Sequence, residues 1–120
     1  MSVWHKLEWE HLKPENPDVM LFRVSGALIG SKECYEFLED VRRDVKQHVK
    51  HVVVNLAGVE RINSAGVGIL CACHTSITNQ GGRLYLVEVG ERSQMLLKVV
   101  GLWDQITHFP AEKDVVFEVV

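Results

Sequence analysis

The sequence predicts a single α/β domain, spanning residues 1–120, with a mixed β-sheet and packed α-helices. Three observations carry that prediction. Strand-like and helix-like segments alternate along the chain, the pattern of an α/β layer structure. Val52-Val53-Val54 is apolar without alternation, as in a parallel strand covered on both faces. Near the N-terminus, two alternating segments are joined by a short turn, which favours an antiparallel hairpin.

Leu7 and Trp9 alternate with Lys6, Glu8 and Glu10, the signature of a half-buried strand. Pro14-Glu15-Asn16-Pro17-Asp18 is a turn. Met20, Phe22 and Val24 then share one face of a second strand. Ser31 is placed to cap the first helix, where Cys34, Phe37, Leu38, Val41 and Val45 form one apolar stripe. Glu39 and Arg43 have the favourable i,i+4 order on its solvated side.

Val52 to Leu56 is the next strand, followed by a short polar turn. Ala65 to Gln80 reads as a small-residue helix, ended by Gly81 in a left-handed conformation. Leu84 to Val87 is a strand. Glu91 to Val100 is a third helix, expected to turn Met95, Leu96, Val99 and Val100 inward. Gly101 suits the position after its end, and Leu102 can fold back on the last turn. Ile106 to Phe109 is the last strand. Val115, Val116, Val119 and Val120 suit either a short helix or an extended tail, and β-branching argues against the helix.

Composition narrows the function classes. The chain has 13 basic and 16 acidic residues, a net charge of −3, so it offers no broad basic footprint for direct nucleic-acid binding. No apolar run approaches the roughly 20 residues of a membrane span. His5, Lys6, Glu8 and Glu10 interrupt any signal-peptide core, which makes the cytoplasm the expected compartment. Three cysteines in such a chain fit reduced thiols rather than a disulfide framework.

Catalytic and metal motifs are missing from the sequence. It contains no G-x-S-x-G elbow, phosphate loop or H-E-x-x-H pair. Cys71-Ala72-Cys73-His74 has the look of a metal motif, but on a helix Cys71 and Cys73 point about 200° apart. No cofactor, metal ion or enzymatic activity is expected.

Val59-Glu60-Arg61-Ile62-Asn63-Ser64-Ala65-Gly66-Val67-Gly68 is the most informative stretch. Ser64 falls where strand gives way to helix, at the natural N-cap position. As a cap alone it would contribute about 1 kcal/mol. A phosphate there would meet the positive end of a helix and change the local charge by about −1.5 to −2. Gly66 and Gly68, in the first turns, imply close approach either to the sheet or to a docked partner.

The ordered set of Val52 to Leu56, Asn63-Ser64-Ala65-Gly66, Gly81-Gly82, Leu84 to Val87 and Gly101-Leu102 resembles the STAS family. That family takes its name from sulfate transporters and anti-sigma factor antagonists. The resemblance covers roughly Val19 to Pro110 and implies a STAS-like fold, with a helix at the C-terminal end. In the family, the first serine of an Asp-Ser-Ser-Gly-like segment accepts phosphate, and Ser64 matches it. Asn63 stands for the usual Asp, Ala65 for the second Ser, and Ile29 for an Asp that often follows a Gly-x-Leu segment.

The resemblance implies a bacterial anti-sigma factor antagonist. Its partner would be a serine-kinase-type anti-sigma factor, bound through Asn63, Ser64, Ala65, Gly66 and Val67. Phosphorylation of Ser64 by that kinase would end the complex, and a serine phosphatase would restore it. The alternative is an unphosphorylated scaffold, or a subunit of a signalling or lipid-transport complex.

Overall fold

The computed structural model describes residues 3–119. Its elements are strands β1 (Glu8–Leu12), β2 (Val19–Leu28), β3 (His51–Ile62), β4 (Arg83–Val87) and β5 (Thr107–Phe109), with helices α1 (Lys32–Lys46), α2 (Ser64–Asn79) and α3 (Glu91–Val99). A 3-10 turn, Glu112–Asp114, follows β5. The strands lie in chain order across one sheet. β1 pairs antiparallel with β2, as the short turn requires, and β2, β3, β4 and β5 are mutually parallel. The result is a single compact α/β domain with a mixed sheet.

Topology explains why this sheet is one-sided. Right-handed crossovers between strands laid down in one direction put every connecting helix on the same face. Met20, Phe22, Val24, Val52, Val54, Leu84 and Leu86 supply that face, and they join the buried residues of α1, α2 and α3 in the main core. The alternate positions, Val19, Val53, Tyr85 and Val87, form a second small cluster on the opposite face. So Val52-Val53-Val54 is covered on both sides, but by helices on only one.

The second face is covered by the C-terminal tail. After the 3-10 turn, the described chain runs without further helix to Val119, and Val115 packs on the second cluster. The extended alternative therefore holds over the described residues, and the helix implied by family resemblance does not form. Val120 lies outside the described residues. Side chains pin the tail down. Arg23 donates twice to Glu112, at 3.0 Å each. The Tyr85 hydroxyl accepts from the Glu118 amide at 2.9 Å, and Arg83 Nε donates to Glu118 at 2.9 Å.

Three further expectations change. β3 continues to Ile62 instead of stopping at Leu56, because shifts of register against β2 keep the two strands paired. No separate polar turn precedes α2. On α1, Arg42 pairs with Glu39 at 2.8 Å and Arg43 with Asp40 at 2.7 Å, so i,i+3 partners replace the Glu39–Arg43 pair. Ser31 occupies the N-cap position of α1 without a side-chain capping bond. The two helix ends behave as their glycines imply, with Gly81 at φ +82° and Gly101 at φ +79°.

Candidate functional site: the turn into α2 and the groove beside it

β3 delivers the chain directly into α2, and Asn63 makes the junction. Its backbone is extended, at φ −133° and ψ −175°, and its side-chain carbonyl accepts from the Gly66 amide at 2.9 Å. Asn63, not Ser64, is therefore the N-cap, and Ser64 is the first helical residue. Both residue types can cap. The extended backbone falls on Asn63, so its side chain reaches the first turn and Ser64 is left free of that task. Ser64 is exposed, and among the described residues its hydroxyl has no hydrogen-bond partner.

Asn63 makes a second bond at this junction. Its amide nitrogen donates to the Ile29 carbonyl at 3.3 Å, tying the β2–α1 loop to the start of α2. A carboxylate could accept from Gly66 but could not donate to Ile29. Gly66 completes the junction. A Cβ at Gly66 would lie 1.8 Å from the Leu28 carbonyl oxygen, a distance no side chain tolerates. α2 thus begins in backbone contact with the end of β2.

The five residues expected to meet a partner are divided by this arrangement. Ser64 and Ala65 are exposed and Asn63 is half-buried. Gly66 and Val67 are buried, and Val67 belongs to the main core. Those two place the helix and do not offer a contact surface. Gly68 differs from Gly66: it is exposed, and a Cβ there would meet nothing within 4 Å. The sheet-approach explanation holds for Gly66 and fails for Gly68.

An open groove of about 520 Å³ runs from the Ser64 turn to α3. Arg61, Ser64, Arg92, Met95, Leu96 and Val99 line it. Arg92, Met95, Leu96 and Val99 stand at i, i+3, i+4 and i+7, one stripe of α3. Met95, Leu96, Val99 and Val100 were expected inside, and of these only Leu96, half-buried, packs against the main core. Met95 is 62% and Val99 81% exposed, while Leu97 is fully buried and Ser93 also turns inward. Val100 is exposed too. Leu97 takes the deepest core contact, with Leu96 packed beside it, while Met95, Val99 and Val100 stay outside.

The charges around the groove have distinct settings. The Arg61 guanidinium lies 5.3 Å from the centre of the Trp4 ring. Neighbouring Glu60 is held by His5, whose Nδ1 is 2.6 Å away. That hydrogen bond keeps the Glu60 carboxyl below its usual range and raises the His5 imidazole above its own. Among the described residues, no carboxylate forms an ion pair with Arg61 or Arg92.

The cysteines of α2 stand apart from this site. Cys73 is buried, which pushes its thiol up to about 12, so the reactive thiolate is suppressed. Cys71 is half-buried. Among the described residues, no group of three His, Cys, Asp or Glu side chains converges on a metal position.

Fold and junction together define a small one-sided α/β domain that presents a serine at the first turn of its second helix. Comparison with known proteins gives that class its family. The STAS domain profile matches residues 11–115, so the chain belongs to the STAS family. Its structure is similar to an anti-sigma factor antagonist from Mycobacterium paratuberculosis, with 20% identity and a TM-score of 0.76 over 91% of this chain and 90% of that one. SpoIIAA, an anti-sigma factor antagonist from Bacillus, is 15% identical in its unphosphorylated form, with a TM-score of 0.74 over 88% and 91% of the two chains. SpoIIAA has also been solved in a phosphorylated form. A STAS domain protein from Planctomyces limnophilus, an anti-sigma-factor antagonist, is 15% identical with a TM-score of 0.70 over 90% and 92%. At these identities the likeness is one of fold. No helix among the described residues is long and apolar enough to cross a membrane.

Proposed function

We propose that this protein is an anti-sigma factor antagonist switched by phosphorylation at Ser64. Unmodified, it binds a serine-kinase-type anti-sigma factor through the turn that begins α2, and the partner releases its sigma factor. The kinase then phosphorylates Ser64, the complex dissociates, and a serine phosphatase resets the cycle. The protein is substrate and ligand in this cycle; ATP belongs to the kinase.

One observation carries this reading. Ser64 is exposed at the first turn of α2 and has no capping task, because Asn63 performs it. The simplest structural reason for a serine at this position is thereby removed. Helix geometry also leaves the first-turn amides of Ser64 and Ala65 without intrahelical acceptors, and a phosphate suits that end of the helix.

The energies favour a switch that spares the fold. A doubly charged phosphate about 5 Å from one partner carboxylate, at an effective dielectric near 20, is opposed by roughly 6–7 kcal/mol. Screening and relaxation reduce this to about 2–4 kcal/mol, a loss of affinity of about 30- to 1000-fold. The helix end stabilises the same anion by up to about 1–2 kcal/mol.

Incubation with ATP and the ATP-dependent serine kinases of the same cell, read by intact mass, tests the proposal. One added phosphate that is absent in Ser64→Ala is the expected result. No phosphate from any of those kinases overturns it, and would favour a scaffold in which the Ser64 turn only makes contacts.

A further inference from the structure

The groove beside Ser64 has a chemistry of its own that a partner must match. α3 has more apolar surface than its core contact uses. Leu97 is fully buried and Leu96 half-buried against the core, while Met95 and Val99 lie open beside two arginines without acidic partners among the described residues. Glu91 precedes Arg92 in sequence but does not line the groove. Lys98, on another side of α3, lies 5.7 Å from the Trp103 ring. The groove is thus apolar along one wall and cationic at Arg61 and Arg92, with no anionic side chain among its lining residues.

We propose that this groove docks a segment of a protein partner that sets a carboxylate beside apolar side chains, and that a phosphate on Ser64 competes with that carboxylate for Arg61 and Arg92. Only the second half rests on the reading of Ser64 as a phosphate acceptor. Charge complementarity selects the occupant. A second copy of this chain would bring the same two arginines to an isologous contact, setting like charges together. An anionic membrane would have to accept a chain of net charge −3 through only two guanidinium groups. A carboxylate flanked by apolar side chains satisfies both arginines and covers Met95 and Val99. Arginine suits this task because its planar fork pairs bidentately with carboxylate and phosphate alike.

The consequence for regulation is specific. The phosphate would act within the chain, by occupying the cations a partner needs, as well as by repelling the partner across the interface.

The test uses two short synthetic amphipathic helices with the same leucine stripe, one flanked by Asp and the other by Lys. Each is titrated into the intact protein while its amide resonances are followed by heteronuclear NMR. The Asp peptide is expected to shift Arg61 to Ser64 and Arg92 to Val99, and to bind at least about tenfold more tightly than the Lys peptide. Arg61→Ala with Arg92→Ala should remove that preference, and Arg61→Glu with Arg92→Glu should reverse it. Unfolding curves establish that both double variants remain folded. Equal binding of the two peptides, or shifts located elsewhere, overturns the proposal. So does self-association that maps to the groove, or sedimentation with anionic vesicles that the double alanine variant abolishes. Peptide selectivity is read without any kinase, so its failure is distinct from failure of Ser64 to accept phosphate. Once phosphorylated, the chain should lose the Asp-peptide preference; retention of it overturns the competitive half.

Discussion

α1 and α3 pack on the same face of the same sheet, yet they use their apolar residues in opposite ways. On α1, Cys34, Phe37, Leu38, Val41 and Val45 are all buried, two ion pairs lie on its outer side, and the one buried acid, Asp44, is met by His11 at 2.6 Å. On α3, Leu97 fills the core while Met95 and Val99 remain open to solvent. Both sequences are amphipathic, but only the first spends its apolar stripe on folding. Apolar surface left over on a short helix, beside an exposed serine and two arginines, is the kind of surface that a partner covers.

That contrast can be broken by truncation, beginning with α1. Phe37 packs edge-on against Trp9 and Phe22, with ring centres 5.5 and 5.4 Å away. Phe37→Ala should cost about 3–5 kcal/mol in urea unfolding. A loss below about 1 kcal/mol would mean that α1 is not the committed helix described above. In α3, Leu97→Ala should cost about 2–5 kcal/mol, which checks by the same method that this residue carries the largest share of the core contact.

A smaller change sharpens the contrast at the site itself. Asn63→Ala removes the cap of α2 and should cost about 1 kcal/mol. Asn63→Asp keeps an acceptor for the Gly66 amide but gives up the donor to Ile29. Faster amide exchange in the β2–α1 loop, with little change at Gly66, is the expected signature. The smallest effect belongs to the open face of α3. Met95→Ser with Val99→Ser should leave stability within about 0.5 kcal/mol of the parent, measured by urea unfolding, while weakening any partner that uses the groove. A loss of several kcal/mol would place those side chains inside after all.

The two helices also mark what the sequence made legible. α1 is 15 residues long with one apolar stripe, so its inward face follows from spacing, apart from Asp44, which is buried beside that stripe. α3 has nine residues and apolar side chains at Met95, Leu96, Leu97 and Val99, enough to support two phases. Only the sheet beneath decides between them. The inward position of Ser93 was the available clue, since a small residue permits close packing near Leu97. The groove and its arginines were missed for this reason.

The α2 junction was legible in type but not in detail. Ser64 announced the helix start as its expected N-cap, but the extended backbone ends on Asn63, so the cap falls one residue earlier. Gly66 could be read as a close approach because the structure demands one against Leu28. Gly68 looked identical in sequence and faces open space. In the tail, β-branched residues correctly opposed a helix, while the anchors from Arg23, Tyr85 and Arg83 bring together groups far apart in the chain.

The central claim is that an anion at Ser64 alters docking and leaves the architecture intact. Calorimetric titration of the modifying kinase against the unmodified and phosphorylated protein, with urea unfolding of both forms, tests it most directly. Affinity should fall about 30- to 1000-fold while the unfolding free energy changes by less than about 2 kcal/mol. Equal affinity for the two forms, or a phosphorylated chain that no longer folds, would contradict it.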